Sequence, residues 1–116
     1  MTLATLTAHY LQCQGWLGDT TERRQGPISR DYLGFADSVW ILGDERLGHP
    51  VRVLAVQHSD ASNAKRRLRK IAREPRASEW LRHGGEILVL GWGRAGVEIT
   101  ARVTCWVTEE EMARWR

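Results

Sequence analysis

The sequence predicts an α/β domain with one central mixed sheet of about five strands flanked by helices. Three observations predict it. Residues 37–42 and 51–57 are two nearly continuous apolar runs, the pattern of strands buried on both faces. Residues 97–107 alternate apolar and polar side chains with a period of two. Between these regions lies an amphipathic helix, 63–73, rich in arginine. Strands and helices that intermingle along a chain pack as layers around one sheet. At 116 residues and 42% hydrophobic content, the chain is expected to be a single domain, 1–116, with one modest core.

The elements follow in order. Residues 2–14 read as a helix, because Leu3, Leu6, Tyr10 and Cys13 recur at steps of three and four. Thr2 can cap its start and Gly15 ends it. A weakly patterned strand is expected over 16–22. Residues 23–31 read as a loop, punctuated by Gly26-Pro27 and carrying three arginines. The strands at 37–42 and 51–57 are expected to pair as an antiparallel hairpin across a polar turn. Asp60 or Ser62 can cap the helix at 63–73, whose inward stripe is Ala64, Leu68, Ile71 and Ala72. Pro75 ends that helix, and 77–83 forms a short second one. A strand at 86–92, a turn at 93–96 and the strand at 97–107 come next. In that last strand Val97, Ile99, Ala101, Val103, Cys105 and Val107 share one face. A C-terminal helix over 109–116 begins on three glutamates, which suit a helix N-terminus.

Composition excludes several classes. No apolar run approaches the roughly 20 residues of a transmembrane helix. The N-terminus lacks an early positive charge and a small-residue cleavage site, so a cytoplasmic protein is expected. Cys13 and Cys105 have no metal-ligand spacing and read as buried structural thiols. The net charge of +3 is unevenly spread. Residues 1–62 hold five basic and seven acidic groups, whereas 63–116 hold twelve and seven. Within 65–76 there are seven basic residues and one acid, Glu74. Self-repulsion in that run is not relieved by interleaved acids, which points to an anionic partner, most simply a nucleic-acid backbone.

The chemistry that this layout can support is metal-assisted attack on a phosphodiester. Divalent cations such as Mg2+ take one or two carboxylates together with water and substrate phosphate. Asp37 opens one strand and Gln57 lies near the end of the next. Lys65 or Arg66, one turn into the following helix, can offset charge that develops on phosphorus. Asp31 is a second acid six residues before Asp37, and His49 and His58 are candidate bases. The bland alternative is that Asp37 caps a strand while Gln57 and Ser59 begin a polar loop.

At these residues the pattern resembles the PD-(D/E)xK, restriction-endonuclease-like nuclease superfamily. Within it, the likeness is to small archaeal-type Holliday junction resolvases and similar phage proteins. Phe35-Ala36-Asp37 resembles the aspartate motif. The stretch from Val53 to Ser59 resembles the second strand, with Gln57 in the acidic place and Ser59 in the lysine place. The resemblance implies a restriction-endonuclease-like fold and Mg2+ (or Mn2+) held by Asp37 and Gln57. It implies a relocated catalytic lysine at Lys65, with Lys70 second. Phosphate contacts would come from Arg23, Arg24, Ser29 and Arg30 on a basic arm, and from Arg66, Arg67, Arg69 and Lys70 on the helix. No Glu occurs in residues 1–21, where the family often carries one. The expected function is a metal-dependent endonuclease acting on branched or junction DNA, as a homodimer and without a membrane. Two alternatives stand beside it: a degenerate nuclease fold that binds nucleic acid without cutting, and an assembly protein whose basic helix meets an acidic partner.

Overall fold

The computed structural model describes residues 2–21, 23–25, 28–43 and 51–116, and of 23–25 and 28–30 only the backbone. The expected polar turn between the two central strands, with His49, lies outside the described residues apart from Gly43. Helix α1 is Leu3–Cys13, and Thr2 caps it by accepting from the Thr5 N–H. Strand β1 is Leu17–Thr20, β4 is Ser38–Leu42 and β5 is Arg52–Asp60. A single 3-10 turn, Ala61–Asn63, leads into α2, Ala64–Ala72. Helix α3 is Pro75–Arg82, β6 is Glu86–Ala95, β7 is Glu98–Trp106 and α4 is Glu109–Trp115.

These strands form one five-stranded mixed sheet in the order β1-β4-β5-β6-β7. Strand β4 is antiparallel to both β1 and β5, β5 and β6 are parallel, and β7 returns antiparallel to β6. The expected sheet and hairpin are therefore present. Helix α1 covers one face, where Leu11, Trp16, Trp40, Leu54, Val56, Leu88, Leu90 and Trp92 pack together. Helices α2, α3 and α4 cover the other, over Ala55, Ile87 and Val89 with Leu68, Ile71 and Met112. Leu54-Ala55-Val56 and Ile87 through Leu90 feed both cores in alternation, which is why these strands read as unbroken apolar runs.

Several sequence expectations need correction. The segment 23–31 is not all loop: Arg23–Gln25 and Ile28–Arg30 pair as a small antiparallel hairpin, β2 and β3. Strand β5 runs on through Asp60, because parallel pairing with β6 continues from Leu54↔Glu86 to Asp60↔Trp92. The turn expected at 93–96 is shorter, since β6 and β7 stay paired out to Ala95↔Glu98. Val97 thus sits in the turn, 96% exposed, and not on an inward face. The inward row of β7 is also split. A register shift between Gly91 and Trp92 leaves Ile99 and Ala101 packed on the α1 side but Val103 and Cys105 on the α2 side. Neither cysteine is a fully buried thiol: Cys13, in the last turn of α1, is exposed and Cys105 is half-buried. Burial still pushes the Cys105 thiol pKa up. Asp60 makes no side-chain capping bond, and α3 begins two residues earlier than expected because Glu74 caps it ahead of Pro75.

Candidate functional site

Register brings Asp37 and Gln57 together. Ser38 pairs with Val56 and Val39 with Ala55, so the next step sets Asp37 across from Gln57. Around Asp37 the backbone is held from both sides: its N–H donates to the Val56 carbonyl at 2.8 Å, and its carbonyl accepts from Thr21 N–H and Thr20 Oγ1. Asp37 as a residue is 6% exposed and Gln57 only 1%. Asp37 Oδ2 accepts from Gln57 Nε2 at 2.8 Å and from the His58 backbone N–H at 2.9 Å. His58 Nδ1 stands 3.4 Å from the same oxygen. A buried carboxylate is tolerated when N–H donors meet it in this way.

In front of Asp37 lies a cavity of about 770 Å³. Asp31, Asp60, His58 and Ser59 line it from the sheet side, and Asn63, Arg67, Lys70 and Arg76 from the helices. Lys70 Nζ pairs with Asp31 Oδ2 at 2.7 Å. Ser59 sends its hydroxyl to the Asp60 carbonyl at 2.9 Å, so it supplies no charge where a lysine would. Arg76 is held by Glu74, Nε to Oε1 at 2.7 Å, and this hydrogen bond holds the Glu74 carboxyl below its usual range. Gly34 adopts φ +79°, and a Cβ there would come within 2.6 Å of Arg76 Nη2. The positive φ is what favours glycine in the turn before Asp37, and the missing Cβ leaves room for the tip of Arg76.

The sequence-derived site residues divide clearly. Asp37 and Gln57 are in contact, as expected. Lys65 is exposed and is not among the cavity-lining residues, whereas Lys70 and Arg67 are. Arg66 and Arg69 lie along a second groove on the outside of α2. Arg69 also stacks over the Trp115 ring, 5.8 Å from its centroid. Arg23, Arg24, Ser29 and Arg30 lie on the β2–β3 hairpin, where only the backbone is described, as register partners Arg23↔Arg30 and Arg24↔Ser29. Sequence reasoning missed Asp60, Asn63 and Arg76 as cavity residues. The signal for Asp60 was β5 continuing past Ser59, and that depends on pairing with β6.

A hard cation needs oxygen ligands, and Asp37 with Gln57 Oε1 would supply a carboxylate and an amide oxygen. Gln57 Oε1 is buried with no hydrogen-bond partner among the described residues. The amide presents its NH2 to Asp37, so it must turn over before Oε1 can face the same ion. Among the described residues no three His, Cys, Asp or Glu side chains converge closely enough to hold a metal by themselves. One carboxylate and one amide oxygen would hold a cation here only with water and a substrate phosphate completing its shell. Against models of known protein families, curated proteins and solved structures, the chain finds no match.

Proposed function

We propose that this protein is a Mg2+- or Mn2+-dependent DNA endonuclease of the restriction-endonuclease-like type, acting on branched or junction DNA as a homodimer. One observation carries the reading. A buried carboxylate, Asp37, held by Gln57 and the His58 N–H, opens on a cavity whose opposite wall carries Arg67, Lys70 and Arg76. Acid on one wall and cations on the other suit a metal-bound phosphodiester. The order of helix, strand, basic hairpin, aspartate-led strand and paired second strand supports it further.

In this reading Asp37 and Gln57 hold the ion, which, when bound, polarises the phosphodiester and acidifies an attacking water. Lys70 takes the charge-stabilising place expected of Lys65, because it lines the cavity and Lys65 does not. Arg66, Arg67 and Arg69 hold neighbouring phosphates, as do Arg23, Arg24, Ser29 and Arg30 from the hairpin. His58, against Asp37, orients the carboxylate.

Cleavage of a synthetic four-way junction with Mg2+ or Mn2+ tests the proposal. Wild type is expected to cut, and Asp37→Ala to lose cutting while it retains DNA binding. Equal inertness of the two would sink it. A second reading, binding without cleavage, is favoured by Ser59 in the lysine place and by the Gln57 amide facing Asp37 as a donor. It predicts metal-independent DNA binding with a steep salt dependence that Asp37→Ala leaves unchanged.

A further inference from the structure

The cavity in front of Asp37 and the groove on the outside of α2, about 520 Å³, have three lining residues in common: Asn63, Arg67 and Lys70. Their spacing of four and then three places them within about 60° of one another around the helix. They form one stripe where the two hollows meet. Arg67 is half-buried and has no hydrogen-bond or ion-pair partner among the described residues. Asn63, at the N-cap of α2, is half-buried too and makes no side-chain capping bond. Arg67 lines both hollows without an acid beside it among the described residues, so a phosphate there would meet a guanidinium not already engaged. Lys70 does have a partner. Its side chain is 47% exposed and its ammonium sits on Asp31, whose side chain is 12% exposed.

We propose that Asn63 and Arg67 form a phosphate subsite that holds the phosphodiester next to the one lying against Asp37, with Lys70 between the two phosphates and the Asp31 carboxylate occupying its ammonium until the strand arrives. The inference rests on the nucleic-acid reading above and extends it by giving the strand a direction, from the cavity outward along α2. Asp31 acts as a positioning residue. It keeps the ammonium at the junction and competes with the incoming phosphate for it.

Binding of a labelled single-stranded oligonucleotide without divalent metal, followed across a salt series, tests this. Each phosphate contact contributes about 0.7 to the slope of log K against log salt for single strands. Arg67→Gln is expected to weaken binding and lower that slope by about one contact. Asp31→Asn is expected to tighten binding and steepen the slope, because Lys70 is released to phosphate. In the Lys70→Gln background, Asp31→Asn should do nothing, and this non-additivity is a readout that a merely structural role would not give. Thermal melts of each variant confirm folding. Unchanged slopes in both Arg67→Gln and Asp31→Asn overturn the subsite, as does absence of binding at low salt. Junction cleavage by the same preparations separates the two proposals. Slope changes without any cleavage leave the subsite standing and remove the nuclease; cleavage without slope changes does the reverse.

Discussion

At Gln57 an amide N–H donates to a buried carboxylate, so a glutamate there would place a second acid against the first. Gln57→Glu is therefore expected to lose about 3 kcal/mol of stability at neutral pH, the scale of an uncompensated buried charge. Mn2+ should raise its melting temperature more than that of wild type, since a cation relieves the repulsion and gains a ligand. A melting temperature indifferent to Mn2+ would mean that Asp37 and position 57 cannot share an ion. The juxtaposition of these two residues was legible in the sequence, because a hairpin that joins 37–42 to 51–57 brings its open ends together. Two details were not. The amide orientation depends on the oxygen it meets, and the Ser59 hydroxyl turns to the Asp60 carbonyl only because β5 continues past it.

Helix α3 offers a test at the level of one element. Glu74 caps it and pairs with Arg76, and that hydrogen bond lowers the carboxyl pKa. A depressed folded-state pKa gives stability that is complete above the unfolded value of about 4.3 and is lost as pH falls through the folded value. Glu74→Gln should cost about 0.5–1 kcal/mol at pH 7, as for a weakened cap with a partly exposed ion pair. The gap from wild type should close in urea unfolding carried out well below pH 4. A gap that persists there would assign the effect to packing. Helix α2 was legible in existence and inward stripe, since Ala64, Leu68, Ile71 and Ala72 are all buried. Which cation turns toward the site was not. Lys65 and Lys70 stand about 140° apart around the helix, and the choice depends on how α2 lies across the sheet. The β2–β3 hairpin was hidden for another reason: Arg23–Gln25 and Ile28–Arg30 are three residues each, too short to show a period.

Across the whole molecule, the buried core side and the exposed basic side lie opposite each other on the same short helix, and the proposed function gives recognition to the basic side. Leu68 is 6% exposed within the core below α2, and Leu68→Ala is expected to cost about 2–5 kcal/mol in chemical unfolding. Arg66→Gln, on the exposed side, should change stability by no more than about 0.5 kcal/mol while it weakens DNA binding. Comparable losses of stability in both would contradict this division. The layered architecture was readable because buried strands leave long apolar runs. The split row of β7 was not, because the register shift switches which face its side chains meet without altering the alternation of residue types in the sequence. The parallel pairing of β5 with β6 also fixes an order of events. Asp37 and Gln57 meet through the antiparallel β4–β5 pair, which involves nearby parts of the chain. The helix carrying Arg67 and Lys70 lies in the crossover to β6 and packs on both β5 and β6, so its seat is complete only with Glu86–Ala95 in place. A nascent chain emerging from the ribosome is thus expected to bring Asp37 and Gln57 together early and to gain its cationic wall late, so a partly made chain lacks the complete proposed site.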